Sequence, residues 1–134
     1  MIEHIYVHIP YCHRICPYCG FYKHRPGNAD FRRFARALLR EWETAARQWE
    51  LAPRTLYFGG GTPSLLPESV WQEILEEIPR HVSFAKLEEW TIEANPRTFD
   101  VRKAQVWKAG GISRVSLGVQ SLDVRVLQTL GRDH

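Results

Sequence analysis

Cys12, Cys16 and Cys19 stand in the stretch Tyr11-Cys12-His13-Arg14-Ile15-Cys16-Pro17-Tyr18-Cys19, and the chain has no other cysteine. Thiolates are soft donors, so C-x3-C-x2-C spacing suits an iron–sulfur cluster or zinc. A cubic cluster held by only these thiolates keeps one iron open for chemistry. A structural zinc ion needs a fourth ligand, for which His8, His13 and His24 are candidates. The bacterial ferredoxin run, C-x2-C-x2-C-x3-C-P, is a different pattern. A single cysteine is commonly a small buried hydrophobe. Three in one polar loop argue for a cluster, with zinc well behind.

Further along, Gly59-Gly60-Gly61-Thr62-Pro63 forms a glycine turn. It is no P-loop, because no Gly-Lys-Ser/Thr follows. Glycines allow backbone to approach a ligand closely, and their exposed amides and carbonyls can hold a charged small molecule. Such a turn alone is more often a tight strand-to-helix connection. Glu93 and Gln120 are polar residues closing apolar stretches. A carboxylate can accept hydrogen bonds from ribose hydroxyls or an amine. Arg132 and His134 read most simply as cations at a helix C-terminus.

The elements that must position these residues alternate between short apolar strands and amphipathic helices. Strands are expected at Ile2–Pro10, Arg54–Phe58, Glu89–Asn95 and Ile112–Gln120. The first long helix is expected from about Asp30 to Leu51, capped by Asp30 or Asn28, with Pro53 just past its end. A second opens after Pro67 and stops at Pro79. A third, capped by Thr98 or Asp100, runs to Ala109, and a fourth, capped by Ser121, spans Leu122–Leu130. Trp42, Trp49, Trp71 and Trp107 fall on helices and are core candidates. This alternation predicts an α/β fold of about four βα units on a parallel sheet.

Each strand splits into two stripes, because successive side chains face opposite ways. One stripe is apolar: Ile5, Val7, Ile9; Leu56, Phe58; Ile92, Ala94; Val115, Leu117, Val119. The other is polar or small: Tyr6, His8; Thr55, Tyr57, Gly59; Thr91, Glu93, Asn95; Ser116, Gly118, Gln120. A parallel sheet buried on both faces reads as continuous apolar runs. The two-stripe pattern instead predicts a barrel-like sheet whose concave side lines a ligand cavity.

Composition limits the classes. With 134 residues the chain has the length of one domain, and 44% hydrophobic with 25% charged residues suits a soluble globular protein. The net charge of +3 is scattered over presumed helix surfaces, without the basic–aromatic interleaving of a nucleic-acid footprint. No stretch approaches the ~20 apolar residues of a membrane span, and no leader pattern opens the chain. The expected location is therefore the cytoplasm, where cysteines bind metal or react more often than they form disulfides.

In order, the motifs resemble the radical S-adenosylmethionine (SAM) superfamily. They comprise the cysteine run, Gly-Gly-Gly-Thr-Pro, Ile92-Glu93-Ala94-Asn95-Pro96, Ser116-Leu117-Gly118-Val119-Gln120-Ser121 and Leu130-Gly131-Arg132-Asp133-His134. Together they resemble the oxygen-independent coproporphyrinogen III oxidase and heme chaperone family. The resemblance implies that Cys12, Cys16 and Cys19 hold a [4Fe–4S] cluster whose open iron binds S-adenosylmethionine. One-electron cleavage of the sulfonium would then yield a 5′-deoxyadenosyl radical. It places Tyr6, Tyr18, Gly61, Thr62, Glu93, Gln120 and Arg132 at S-adenosylmethionine-contacting positions, with Tyr18 near the adenine. It assigns no catalytic residue beyond these. Partners implied are a porphyrinogen or heme and an electron donor protein.

Two departures refine the resemblance. Oxidases of this family carry a further cysteine two residues after the third, where this chain has Phe21. That favours the heme chaperone branch, although Gly20 stands where that branch usually has an acidic residue. A full barrel takes ~250 residues. Residues 1–134 are thus expected to be the N-terminal part of a radical SAM core domain, ending before the partial TIM-like barrel is complete.

Overall fold

The computed structural model describes residues 1–134. Its order is β1 (Ile2–Ile9), α1 (Phe31–Gln48), β2 (Leu51–Gly60), a short 3-10 turn (Pro63–Leu65), α2 (Glu68–His81), β3 (Glu89–Ala94), α3 (Val101–Ala109), β4 (Arg114–Leu117) and α4 (Val124–Thr129). The strands form one sheet in the order β1-β2-β3-β4, every neighbouring pair parallel. This is the expected α/β architecture of four βα units, a partial barrel.

Asp30 caps α1 by accepting from the Arg33 amide at 3.0 Å. The helix ends at Gln48, so the chain turns into β2 earlier than expected. Two corrections follow. Trp49 becomes an extended residue beyond the helix and is 60% exposed, not core. Pro53, expected between elements, lies inside β2, which starts at Leu51 rather than Arg54. It is tolerated because the β1–β2 register slips there, between the Ile2–Leu51 and His4–Thr55 pairs, where no regular ladder bond needs its missing N–H.

Pro79 does not stop α2 but lies in its last turn. It forfeits only the bond to Leu75, while Ile74, Leu75 and Ile78 remain buried in the core and hold the helix. The Ile78 carbonyl accepts the Trp42 indole N–H at 3.1 Å, tying α2 to α1. Asp100 caps α3, accepting from the Lys103 amide at 2.9 Å. Asp123, rather than Ser121, caps α4 by accepting from the Arg125 amide at 2.8 Å. Ser121 acts one step earlier, its Oγ accepting from the Asp123 amide at 3.0 Å.

The core lies between one sheet face and α1, α2 and α3. Val7, Ile9, Leu56, Phe58, Ile92 and Ala94 form the sheet side and are buried. Trp71 and Trp90 flank Phe58, with ring centroids 5.4 Å and 5.9 Å away. Burying each large apolar side chain contributes roughly 1.5–3 kcal/mol. The apolar stripe fails at β4, where Val115 and Leu117 remain 42% and 47% exposed. α4 buries only Leu127 and does not cover them. β4 is also shorter than expected, because past Leu117 the chain bends away and Gln120 adopts φ +67°. No helix is long and apolar enough to cross a membrane.

Candidate functional site

The cysteine loop leaves the C-terminal end of β1 and is clamped at its base. An isolated parallel bridge joins Tyr11 to His24, with the Cys12 amide on the His24 carbonyl at 3.0 Å and the His24 amide on the Pro10 carbonyl at 2.8 Å. The buried Tyr11 ring sits edge-on to Phe31 and Phe34 of α1, each 5.2 Å away. Farther out, Lys23 Nζ donates to the Cys19 carbonyl at 2.6 Å and the Phe21 carbonyl at 3.0 Å. His8 bonds the Tyr22 carbonyl through Nε2 at 2.9 Å, and its Nδ1 lies 3.0 Å from the Tyr6 hydroxyl. A loop rich in polar residues is thereby held at both limbs.

All three thiols line one cavity of about 280 Å³ at the C-terminal ends of the strands. Tyr18, Gly61, Thr62, Glu93, Gln120 and Arg132 line it too. Tyr6 does not. It stands beside the cavity, 56% exposed, stacked on Tyr57 with centroids 6.0 Å apart. The Tyr57 hydroxyl donates to Glu93 Oε1 at 2.7 Å, and the Gly60 amide donates to Glu93 Oε2 at 3.1 Å. These bonds aim the carboxylate across the strand ends. Burial, reinforced by the Glu93 carboxylate, pushes the Tyr6 phenol pKa up.

The glycine turn has a second reason to be glycine. A Cβ on Gly61 would lie 2.6 Å from the Tyr11 carbonyl, and one on Gly60 2.5 Å from the His8 ring. Gly60 also adopts φ +110°, closed to most side chains. The turn therefore packs on the chain entering the cysteine loop. The Gly61 amide bonds the Ile9 carbonyl at 2.8 Å, and the Thr62 amide the Tyr11 carbonyl at 2.7 Å. Close approach to protein backbone, as well as to a ligand, requires these glycines.

A polar chain then joins two cysteines across the strand ends. Thr62 Oγ1 donates to Cys12 Sγ at 3.5 Å, and Asn95 Nδ2 to Thr62 Oγ1 at 3.0 Å. Arg132 Nη2 donates to Asn95 Oδ1 at 2.9 Å and to the Gly118 carbonyl at 2.6 Å, while Nη1 reaches Cys16 Sγ at 3.4 Å. Arg132 Nε is buried without a partner. Asn95 was not among the expected site residues; its place on the polar stripe beside Glu93 was the available signal. Lys23 and Arg14 also line the cavity, unmarked by any motif.

The donor set fits an iron–sulfur group. The lining contains the three cysteines and no histidine. His8 and His24 are engaged with backbone carbonyls, and His13 lines a neighbouring cavity. No group of three or more Cys, His, Asp or Glu converges as one metal ion requires; the thiols surround a space instead. Burial pushes the Cys12 thiol pKa up, against smaller lowering effects of the Thr62 hydrogen bond and the Lys23 charge. A bound iron would supply the positive charge that favours the thiolate of such a group. The Tyr18 phenol, beside Cys16, is likewise pushed up, first by burial and then by its hydrogen bond to the thiol.

The family model of the radical SAM superfamily matches residues 6–134. The chain belongs to the radical SAM superfamily. Among curated relatives of this radical SAM chain, bovine radical S-adenosyl methionine domain-containing protein 1, mitochondrial, is 37% identical across 97% of the chain and 30% of the relative. Heme chaperone HemW of Escherichia coli K12 is 35% identical across 97% of the chain and 35% of its own length. Among solved structures, Escherichia coli coproporphyrinogen III oxidase (HemN), a radical SAM enzyme, superposes with a TM-score of 0.78 at 26% identity, over 98% of the chain and 31% of that structure. The chain thus spans about a third of the length of the relatives it matches, and HemN and HemW, whose family its motifs resemble, are among them.

Proposed function

We propose that this radical SAM chain binds a [4Fe–4S] cluster through Cys12, Cys16 and Cys19 and S-adenosylmethionine in the adjoining cavity, in service of heme metabolism. The observation that carries the reading is the convergence of all three thiols on one cavity that Glu93, Gln120 and Arg132 also line. A bound cluster supplies one-electron reduction at the sulfonium of S-adenosylmethionine. The chain's own residues bind and orient. Glu93, fixed by Tyr57 and Gly60, accepts from ribose hydroxyls or the amine, and Arg132 offers its guanidinium to the carboxylate. Tyr18 offers a ring to the adenine. Gly61 and Thr62 bring backbone to the ligand, and Tyr6, stacked on Tyr57 at the edge of the cavity, joins the S-adenosylmethionine contacts with Gln120.

Residues 1–134 act in this reading as part of a radical SAM core domain, with a porphyrinogen or heme and an electron donor protein as partners of the whole protein. The heme chaperone branch is favoured over the oxidase. Phe21, 68% exposed on the cavity lining, occupies the place of the oxidases' further cysteine. A non-catalytic heme-binding role is the second reading, supported by the name of the HemW relative. Free thiols suit a reducing compartment such as the cytoplasm.

Anaerobic reconstitution with iron and sulfide is the test. The wild-type chain is expected to take up a cluster, and Cys12→Ala to lose it, read by iron content and visible absorption. Full iron content in Cys12→Ala, or zinc bound alone in tetrahedral thiolate geometry, overturns the ligand assignment. Reduction in the presence of S-adenosylmethionine is expected to release 5′-deoxyadenosine; its absence from a cluster-loaded sample leaves the non-catalytic reading. Heme titration of the chain then separates chaperone from oxidase.

A further inference from the structure

A second cavity, of about 480 Å³, adjoins the cysteine cavity and shares Arg14, Cys16, Thr62, Asn95 and Arg132 with it. That volume falls within the ~300–1,000 Å³ of small-molecule pockets. Its remaining walls come from the turn after β3, from Lys103 of α3 and from the 131–134 segment. The fixed charges on the lining are Arg14, Arg97, Lys103 and Arg132, against Asp133 alone. The whole chain carries only +3, so the cavity gathers positive charge far beyond the average surface.

None of these cations is paired with a carboxylate inside the cavity, although Arg132 Nη1 reaches Cys16 Sγ at 3.4 Å. Lys103 Nζ donates to the Ser64 carbonyl at 2.9 Å and the Thr98 carbonyl at 3.0 Å, which hold its position without cancelling its charge. Burial pushes its pKa down, with Asp100 and Glu68 partly opposing the shift. Arg97 donates to the backbone carbonyl of Asp133 at 3.0 Å, not to its carboxylate. Arg97 also holds φ +64°, a conformation costly to a residue with a side chain. Arg132 Nε is buried with no acceptor. Converging cations, a half-buried ammonium and an unpartnered guanidinium N–H together describe a site built for negative charge.

We infer that this cavity binds a compact small molecule carrying two or more carboxylate or phosphate groups. The lining includes only Leu65 and Pro96 as apolar residues and no Phe, Tyr or Trp. It therefore suits a small polyanion rather than a planar apolar ring system, and it adjoins the cavity assigned to S-adenosylmethionine across their shared wall. Arg132, shared by both, couples the two occupants.

Calorimetric titration of the cluster-loaded chain with citrate and, separately, inorganic pyrophosphate tests this, with S-adenosylmethionine affinity measured on the same samples. One or both anions are expected to bind, and the better one identifies the anionic group. Lys103→Met and Arg97→Gly are each expected to weaken binding about tenfold, the loss of one charge-assisted contact, leaving S-adenosylmethionine affinity unchanged. The second variant retains the left-handed backbone, so it tests the charge even where the first perturbs the fold. No binding of either anion, or equal affinity in both variants and wild type, overturns the inference. Variant-sensitive anion binding without S-adenosylmethionine binding supports it and counts against the proposed function.

Discussion

Arg132 joins Cys16, Asn95 and Gly118 through one guanidinium, so a residue after the last helix locks the ends of β3 and β4 to the cysteine loop. A planar fork of donors can do this where a lysine cannot. Arg132→Gln is expected to weaken S-adenosylmethionine binding about 10- to 100-fold, the loss of a hydrogen bond to a charged group. Equilibrium dialysis of the cluster-loaded protein checks this, and unchanged affinity contradicts the assigned role. From residue type alone, Arg132 reads as a helix-terminal cation; the family motif singled it out. Residue type alone does not single out Asn95, because an amide on a polar stripe looks like many others until Thr62 and Arg132 close around it. Tyr6, expected in the ligand set, stacks on Tyr57 beside the cavity rather than lining it.

Among the elements, α2 carries the largest share of buried side chains, with Val70, Trp71, Ile74, Leu75 and Ile78 on its inner face. Ile74→Ala is expected to cost roughly 2–5 kcal/mol, because the surrounding sheet and helices cannot collapse fully into the space. Asp30→Ala removes only the cap of α1 and is expected to cost about 1 kcal/mol. Urea denaturation followed by tryptophan fluorescence ranks the two; equal losses would contradict this account of the core. Element order and type were legible, since apolar spacing repeats within each segment. The ends were less so. Pro53 and Pro79 both read as breaks, but a register slip accommodates the first and the packing of α2 holds the second.

At the scale of the molecule, β4 is an open sheet edge with Val115 and Leu117 exposed, and Leu122 beyond it is 94% exposed. Unpaired ladder groups beside apolar side chains favour association. Taken by itself, the 134-residue chain is expected to self-associate with rising concentration, and Leu117→Lys to suppress this by placing a charge on the edge. Sedimentation velocity across a concentration series is the check; a monomer throughout, or an unaltered variant, contradicts it.

By itself, the amino-acid sequence determined the close spacing of the three cysteines, the alternation of strands and helices, and the polar stripe that lines the candidate site. These depend on residue type and short-range period, which need no partner from elsewhere in the chain. Tertiary structure decided that Asn95 links Thr62 to Arg132, that the glycines admit Tyr11 and His8, that β4 lacks cover, and that four cations meet in one cavity. Each depends on contacts between residues distant in the chain, which only the packed sheet and helices bring within reach.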